Sequence, residues 1–442
     1  MKKYFLILLF VTYSGAIAGE KIIVNLNESI KIALESNHKF KQAKLEYQKA
    51  KEQVWEAYGS SLFPSIDGTV TYSRAIQRPR FIIETPFFSG SFPAGSKNTM
   101  TASINVEQPL FTGAIFLAVR IAETFAEISK QSKEYSESEL IVQVKQAYYT
   151  CLLADGLVEL AELQLKRAEE NLNNTRSMYK AGLVSEYDYI KANVQYQNTL
   201  PALTEAKNQK NLALNNFKLI LGLDLKTTVD IEGELKYSKF SEPDYEEGIL
   251  KMYNQNQLIK QMELQVEMQG LVKSYQFTDH LPTLTAFGNW QSQAQEEDVR
   301  SFDNWRYFNS LAVGLTLRVP IFNGFTTISK TEQAELDLKV AVEGLANTKK
   351  AVINEYENSI LQIKKTEEQI SAYEAAVLES ERGYEIAQKR FESGLGTQLE
   401  VTDALVGATN ARLNLLTTLH DYYLNHARMD LIVGKKLNEI IN

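Results

Sequence analysis

The sequence predicts a mainly helical α+β protein built from a unit of about 210 residues that occurs twice. Two observations support this prediction. Short segments of the same character recur in the same order at offsets between 211 and 219 residues along the 442-residue chain. Within each unit, the hydrophobic period changes between two residues, as in strands, and three to four residues, as in helices. We therefore assign each predicted helix and strand to one of the two copies.

Four pairs of landmarks support the duplication. Gln108–Gly113, with the sequence QPLFTG, returns as Val319–Gly324, with the sequence VPIFNG. The other pairs are Leu62–Pro64 with His280–Pro282, Asn37 with Asn256, and Tyr179–Gly182 with Phe391–Gly394. Landmarks in one order at nearly constant spacing predict two tandem copies, in residues 19–222 and 256–442, joined by a small equatorial segment in residues 223–255.

The N-terminus has the pattern of a secretory signal peptide. Lys2 and Lys3 precede the apolar run Tyr4–Val11, and Ala16–Ala18 supplies a small-x-small cleavage site. Residues 1–18 are therefore expected to direct export and to be removed, so we leave them out of the fold.

Composition excludes several classes of protein. A formal net charge of −8 and a sequence pI of about 5.4 argue against a nucleic-acid binder. No later apolar run approaches the ~20 residues that a membrane-spanning helix needs. The single cysteine, Cys151, allows no internal disulfide and no multi-cysteine metal site. Its place on an apolar helical stripe predicts a small core residue.

Each copy contains one helix of unusual length. Residues 115–179 and 327–391 contain no proline and carry apolar residues at spacings of three and four. At 1.5 Å per residue, about 65 residues span about 97 Å. Two shorter helices in each copy nearly match that length when stacked end to end, which predicts antiparallel partners in a rod. These shorter helices are residues 38–61 and 185–222 in the first copy, and 257–278 and 397–434 in the second.

Each copy also contains one pair of strands, near residues 64–111 and 282–321. Apolar and small polar side chains alternate along them, most clearly in Leu311–Val319, while Phe287 interrupts the alternation in another strand. Strands of about ten residues with one apolar and one polar face are typical of an outer-membrane barrel, with lipid outside and water inside. The alternative from alternation alone is a half-buried hairpin in a soluble protein, which the export signal disfavours.

Proline and glycine mark the ends of the strands. Residues 75–98, with three prolines, are predicted as a loop, and residues 294–309 connect the other strand pair. Aromatic side chains near the strand ends are expected to form an interfacial girdle. Where strand gives way to long helix, proline would end the ladder and glycine would permit a bend. These junction residues are Pro109, Gly113, Pro320 and Gly324.

Barrel closure requires more than one copy of the chain. Four strands cannot close a barrel, and open sheet edges are not tolerated in hydrocarbon. A dimer would give eight strands, an interior that side chains can fill, whereas a trimer would give twelve strands and room for an aqueous pore. Three copies are therefore the better count.

These features together resemble the TolC family of outer-membrane efflux and secretion channels. The resemblance covers essentially the whole mature chain. It rests on the duplicated unit of strand, Pro-aromatic-x-Gly and long helix, on the paired Tyr/Phe-x-x-Gly turns, and on the Ala-Leu-x-x-Asn start in Ala33–Asn37. It implies a homotrimer in the outer membrane of a diderm bacterium, with a twelve-stranded barrel in outer-membrane lipid continuous with a twelve-helix periplasmic tunnel. It also implies a periplasmic adaptor and an inner-membrane pump as partners, and no catalytic site or cofactor.

The resemblance further implies an acidic constriction at the periplasmic entrance. An offset of 212 residues pairs Asp188 with Glu400 and Lys191 with Asp403, so the first hairpin is charge-balanced and the second is purely acidic. Glu400 and Asp403 share a helix face, and three copies would gather their carboxylates into a ring that favours cations. The alternative is an ordinary solvated helix start, where acidic residues complement the helix dipole.

The helix reversals at the same end are candidate docking sites. The resemblance implies that an adaptor binds the tips at Gly182, Leu183, Gly394 and Leu395. Helix reversal alone also calls for glycine at such places, and both roles are compatible.

Two residues depart from the family pattern at the gate. The resemblance implies a link from Asp188 to an Arg two residues after the second glycine, and a Tyr before that turn. This chain has Gly396 and Phe391 in those places. Tyr179 and Phe391 are the candidate gate aromatics, and the closed state is expected to be looser or held by other groups.

No motif predicts an enzyme or a cofactor site. The four histidines are scattered, and HExxH, P-loop and GxSxG motifs are absent. The alternative function is an exported coiled-coil scaffold or adhesin without a pore, which the helical stripes suit and the matched strand pairs suit poorly. Small-molecule efflux and protein secretion use one scaffold, so neither cargo nor pump class follows from the sequence.

Overall fold

The computed structural model describes residues 22–240 and 245–435. The predicted signal peptide, residues 1–18, lies outside the described residues. The chain divides into two compact units. The first unit takes the described residues up to Lys44, then Lys133–Gln257 and the residues from Lys349 onward, and the second takes Leu45–Ser132 and Leu258–Thr348.

The two longest helices occupy equivalent places in the two sequence repeats. They contain 66 and 67 residues, and each extends the range expected from the apolar spacing by only one or two residues. In chain order, the helices are α1 (Leu26–Ser36), α2 (His38–Leu62), α3 (Ile115–Lys180), α4 (Glu186–Leu221), α5 (Tyr245–Gln255), α6 (Gln257–Phe277), α7 (Thr326–Glu392) and α8 (Gln398–Val433).

The strands form three separate sheets in the described part of the chain. In chain order, they are β1 (Ile22–Val24), β2 (Ser65–Arg74), β3 (Arg80–Thr85), β4 (Phe88–Pro93), β5 (Asn98–Phe111), β6 (Val229–Ile231), β7 (Thr283–Glu296) and β8 (Tyr307–Arg318). β1 pairs in parallel with β6, and β3 pairs antiparallel with β4. The largest sheet is antiparallel, has the order β2-β5-β7-β8, and lies in the second unit.

The connection between β2 and β5 contains the β3–β4 hairpin where the sequence predicts a loop, so that prediction is wrong for this segment. Its three prolines do not prevent pairing, because Pro79 precedes β3, Pro86 lies between the strands and Pro93 is the last residue of β4. At strand ends, proline removes no hydrogen-bond donor that an interior ladder would need.

The core of the first unit is apolar. Cys151 lies in it with 1% of its surface exposed, which confirms the predicted core role. Burial and, to a smaller extent, the charge of Asp155 raise the pKa of this thiol to about 12. The large side chains of the same core include Ile30, Phe40, Ile141, Phe217 and Leu221.

Two glycines end corresponding helices of the first unit close to another part of its backbone. Gly222 follows α4 and Gly434 follows α8, with φ angles of 73° and 76°. A Cβ atom at Gly222 would lie 2.6 Å from the carbonyl oxygen of Ser36, and one at Gly434 would lie 2.7 Å from that of Gln255. Glycine is needed at both ends because a side chain would be strained and would meet the backbone. The two repeats therefore correspond in backbone detail.

Candidate functional site

The four-stranded sheet of the second unit has one apolar face. Its register places Ile66 opposite Val106, Val106 opposite Gly288, and Gly288 opposite Val313. Residues two apart along a strand lie on the same face, so the alternation in the sequence becomes a continuous surface. Its other members include Val70, Ile104, Trp290, Leu311, Leu315 and Leu317.

This apolar face is strongly exposed in the single chain. Val313 is 78% exposed and Ile66 is 67% exposed, although both side chains are aliphatic. Covering such a side chain is worth about 1.5–3 kcal/mol relative to leaving it in water. A contiguous apolar surface of this kind marks contact with a membrane or a partner.

The opposite face of the sheet is polar apart from aromatic exceptions such as Phe287. Phe287 lies opposite Gly314, and a Cβ atom at Gly314 would lie 2.8 Å from Cζ of the ring. The ring therefore lies across the glycine, which explains why an aromatic residue interrupts the alternation here. One polar row across the four strands is Thr69, Ser103, Gln291 and Ser310.

Both outer edges of this sheet are open. Within the described residues, β2 pairs only with β5 and β8 pairs only with β7. Their remaining backbone donors and acceptors can pair with strands of another copy, as a sheet edge does when it joins a second chain.

The junction between strand and long helix in the first repeat is a bulge. The register between β5 and β7 shifts between Pro109 and Phe111, so the strand continues past the proline instead of ending there. A Cβ atom at Gly113 would lie 2.7 Å from Cδ1 of Leu281. The absence of a side chain at Gly113 therefore lets the backbone pass close to Leu281.

The corresponding junction in the second repeat uses two left-handed residues. Gly324 and Phe325 have φ angles of 67° and 63°. Glycine adopts this conformation freely, but a bulky residue such as phenylalanine is strained in it. The side chain of Asn323 donates a hydrogen bond to the hydroxyl of Thr327, which closes the turn that enters α7. Pro320 follows β8 before this turn.

Aromatic side chains gather at the sheet end away from α2 and α3. The rings of Tyr72 and Trp305 have centroids 6.3 Å apart. The hydroxyl of Tyr307 donates to the sulfur of Met100 at 3.5 Å. We call Tyr72, Trp305 and Tyr307 the aromatic rim.

Ion pairs tie the two connecting loops together beside the aromatic rim. Asp298 accepts from Nη2 of Arg74 at 2.9 Å and lies 2.8 Å from Nζ of Lys97. Arg78 pairs with Glu297 in the same way. The β2–β5 and β7–β8 connections are therefore held to each other near their roots.

The predicted tips are tight helix reversals. Gly182 and Gly394 have φ angles of 75° and 72°. The N–H of Leu183 donates to the carbonyl of Met178 at 2.9 Å, as in a glycine-based helix end. Leu183 and Leu395 are 70% and 74% exposed, so both reversals present an apolar side chain at the surface of the chain.

The three predicted constriction residues lie at or just after helix starts. The carboxylate of Asp188 accepts hydrogen bonds from the N–H and hydroxyl of Ser185, at 3.2 and 2.6 Å, and so caps α4. The N–H of Glu400 donates to the hydroxyl of Thr397 at 3.3 Å. Glu400 and Asp403 are exposed, while the oxygens of Asp188 are partly used by the cap.

The two predicted gate aromatics have different surroundings. Tyr179 is partly exposed, and its ring stacks on Tyr189 with centroids 5.6 Å apart and planes 8° apart. Phe391 is 3% exposed and packs with Tyr384 and Leu405. In the single chain, only Tyr179 presents its ring at the surface.

Sequence reasoning missed a partly buried ion cluster that joins three helices of the first unit. Glu381 of α7 accepts from Nη2 of Arg167 of α3 at 2.5 Å and lies 2.6 Å from Nε of Arg412 of α8. The Arg167 guanidinium also lies 4.7 Å from the ring centroid of Tyr384. Burial opposes ionisation of Glu381, but the two arginines outweigh it and hold its pKa below its usual value. No local motif marks this cluster, because its members come from distant parts of the sequence.

In residues 22–240 and 245–435, no helix combines the length and apolarity needed to span a membrane. The same residues contain no group of three or more His, Cys, Asp or Glu side chains placed to hold a metal ion.

Comparison with known proteins assigns these features to one family. The sequence model of the family described as outer membrane efflux protein matches residues 29–223 and 251–435. Outer membrane protein TolC of Vibrio cholerae is 23% identical over 437 residues, which cover 98% of this chain and 96% of that protein. Alkaline protease secretion protein AprF of Pseudomonas aeruginosa is 21% identical over 431 residues, which cover 96% of this chain and 88% of that protein.

The fold is likewise similar to that of solved channels. The crystal structure of the Campylobacter jejuni CmeC outer membrane channel superimposes with a TM-score of 0.76 at 19% identity. The superposition covers 92% of this chain and 85% of that one. At this identity the likeness concerns the fold.

Proposed function

The chain belongs to the outer membrane efflux protein family, and on that premise we propose that it is one subunit of a trimeric export channel. The match confirms the resemblance drawn from the motifs, and the chain is accordingly an outer-membrane protein. The proposed channel passes small molecules or secreted polypeptides from a periplasmic adaptor and an inner-membrane pump to the outside of the cell. It carries no catalytic site.

The observation that carries this proposal is the open four-stranded sheet with its exposed apolar face. In hydrocarbon, unpaired edges at β2 and β8 would leave backbone groups without hydrogen bonds. Pairing β2 of one copy with β8 of the next satisfies both edges, and three copies then form a closed barrel of twelve strands. The apolar face would meet lipid, and the row containing Ser103 and Gln291 would face water.

The long helices supply the rest of the proposed conduit. Three copies of α3 with α4, and of α7 with α8, would enclose a twelve-helix tunnel in the periplasm. The bends that join barrel to tunnel are assigned to Pro109 and Gly113 in one repeat and to Pro320 and Gly324 in the other. The bulge near Pro109 and the left-handed pair at Gly324 support this assignment.

The tips of the helical hairpins are the proposed docking sites for the adaptor. Exposed Leu183 and Leu395 each project from a turn held by Gly182 or Gly394. An apolar side chain on a rigid turn suits a helical adaptor that recognises each tip through a small apolar pocket.

The proposed entrance constriction is formed by Glu400 and Asp403, with Asp188 nearby on the first hairpin. The exposure of the first two carboxylates supports a role in the pore, and the capping role of Asp188 makes its contribution smaller. Tyr179, whose ring is accessible, is the stronger gate candidate, because Phe391 is packed inside its own chain.

Two classes of cargo are compatible with this proposal: small molecules and secreted proteins. The family is described as efflux proteins, whereas AprF is named for secretion of alkaline protease. Deleting the gene and measuring both drug susceptibility and the secreted proteins of the same strain would separate the two classes of cargo.

The first experiment measures the mass of the detergent-extracted protein by light scattering, corrected for bound detergent. A mass close to three times the 50.1 kDa chain, slightly lower after signal cleavage, is the expected result. A monomer or dimer that remains in solution without detergent would overturn the channel and favour the exported coiled-coil scaffold.

A further inference from the structure

The β3–β4 hairpin is an isolated two-stranded sheet with an apolar face of its own. Its register pairs Phe81 with Phe92 and Ile83 with Gly90, and Phe88 lies on the same face two residues before Gly90. A two-stranded hairpin alone is at best marginally stable in water. A surface that covers this face would therefore also stabilise the hairpin.

Two phenyl rings form a flat surface on this face. The rings of Phe88 and Phe92 have centroids 5.7 Å apart and planes 17° apart. A Cβ atom at Gly90 would lie 2.7 Å from Cζ of Phe88, so glycine leaves room for the ring. Phe87, in the turn between the two strands, is 99% exposed. Phenyl groups on one side of an amphipathic element suit the boundary between lipid headgroups and acyl chains.

The opposite face of the hairpin is more polar: besides Ile82, it carries the guanidinium group of Arg80 near its root and the carboxylate of Glu84 near its turn. Arg80 donates from Nε to the hydroxyl of Ser91 at 2.7 Å and from Nη2 to its carbonyl at 3.2 Å. Among the described residues, no carboxylate lies within ion-pair distance of Arg80, or of Arg300 and Arg306 in the β7–β8 connection. Guanidinium groups of this kind are suited to binding phosphate.

The hairpin is tethered beside the aromatic rim, where the apolar face of the large sheet ends. Arg74 is the last residue of β2 and Arg80 is the first residue of β3. Six residues of extended chain span at most about 22 Å, so the hairpin begins within that distance of the large sheet. The ion pairs of Asp298 and Glu297 hold its root to the neighbouring loop.

We propose that the β3–β4 hairpin binds the outer leaflet of the membrane, with its phenyl groups in the upper acyl region and its arginine against anionic headgroup phosphates. This inference rests on the proposed function, because it requires the large sheet to lie in the membrane. The rim and the hairpin form adjacent parts of one lipid contact, since aromatic side chains anchor proteins at this depth. Anionic headgroups attract basic side chains near the surface.

The test places a fluorescent probe on the hairpin and measures its quenching by nitroxide-labelled lipid. Phe88→Cys carries the probe on the apolar face and Ser89→Cys carries it on the opposite face as the matched control. Val313→Cys reports on the large sheet, and the wild-type chain, whose Cys151 is buried, is the blank. Each labelled protein is reconstituted in vesicles of phosphatidylcholine and phosphatidylglycerol, with the nitroxide placed near the headgroup or near the chain end.

The expected result is quenching of the Phe88→Cys probe by shallow nitroxide, at least about twofold stronger than at Ser89→Cys, as expected for an element lying in the interface. Replacing phosphatidylglycerol by phosphatidylcholine, or introducing Arg80→Gln, should weaken that quenching. Insensitivity to both changes would overturn the phosphate contact.

Two outcomes would overturn the lipid contact itself. A probe at Phe88→Cys that aqueous iodide quenches and lipid nitroxide does not would place the hairpin in water. If neither iodide nor nitroxide quenches the probe, but the probe self-quenches when all copies are labelled, the hairpin lies against a second copy of the chain. In both cases quenching at Val313→Cys by deep nitroxide shows that the barrel itself formed, and its absence would instead refute the proposed function.

Discussion

Asn37 and Asn256 make the same hydrogen bond in the two halves of the chain. Nδ2 of Asn37 donates to the carbonyl oxygen of Ile220 at 2.8 Å, and Nδ2 of Asn256 donates to that of Ile432, also at 2.8 Å. Each asparagine stands at the break between two consecutive helices and binds a carbonyl in the last turn of a distant one, where helix carbonyls lack intrahelical partners. The shared Asn is therefore a structural link that was copied with the repeat.

We expect Asn37→Ala and Asn256→Ala each to destabilise the protein by about 1–3 kcal/mol, because a carbonyl that is partly buried at Ile220 and buried at Ile432 loses its donor. The midpoint temperature of unfolding in detergent, followed by circular dichroism, measures the effect. Asn208→Ala, at an exposed position of α4, is the control and should leave the midpoint unchanged. Equal midpoints in all three variants would contradict the structural role.

Glu381→Gln should destabilise the protein near neutral pH by about 1–3 kcal/mol, since it leaves Arg167 and Arg412 without their carboxylate. The pKa of Glu381 is lowered in the folded protein, so its contribution is complete above the usual glutamate pKa and is lost as pH falls through the folded value. The difference in midpoint temperature between wild type and variant should therefore stay constant from about pH 7 to about pH 5, and shrink only as the pH is lowered further, through and below the usual glutamate pKa. Glu385→Gln, an exposed neighbour on α7, should show no such dependence.

Leu315→Arg should reduce assembly of the trimer in the outer membrane, whereas Thr316→Arg should be tolerated far better. The two residues are adjacent on β8 but lie on opposite faces of the sheet. A charge on the lipid face costs about 2–4 kcal/mol near the middle of the bilayer, and much less where the strand faces water. Trimer yield in outer-membrane fractions measures the difference, and equal yields would refute the assignment of the faces.

Replacing Glu400 and Asp403 together by Gln and Asn should lower the preference of the channel for cations, because the proposed ring loses six carboxylates from three copies. The reversal potential across a planar bilayer with a salt gradient measures this preference. Glu379→Gln with Glu385→Gln removes the same number of charges from α7 and is the matched control. An unchanged reversal potential in the first variant would remove both residues from the pore.

Periodicity and spacing predicted the regular elements well, because long helices and alternating strands repeat their signals many times. The limits of α3 and α7 differ from expectation by one residue at any end. The sequence did not predict the β3–β4 hairpin, because three prolines in one segment indicate a loop unless each of them lies at or beyond a strand end, as they do here. The alternation of apolar and polar residues does not explain Phe287, because the space for its ring depends on Gly314 of the neighbouring strand.

The candidate site was less predictable, because side-chain surroundings depend on tertiary contacts. Tyr179 and Phe391 are equivalent in the repeat, yet only one of them is buried. The repeat aligns backbone positions, whereas burial depends on which neighbours the two hairpins place around each ring. The cluster of Arg167, Glu381 and Arg412 is a stronger case, since its residues share no spacing pattern and meet only after three helices pack.

Both compact units take residues from both sequence repeats, and neither unit is a continuous stretch of chain. The part with the exposed sheet is therefore not a separate module joined end to end to a helical one. A single gene duplication would have copied material for both units at once. An ancestor with one repeat, carrying two strands of the large sheet, would have needed six subunits to supply the strands that the proposed trimer supplies with three. Doubling the gene would then have halved the number of separate chains in each assembly. It would also have allowed the two repeats to diverge, and the two strand–helix junctions do differ in backbone conformation.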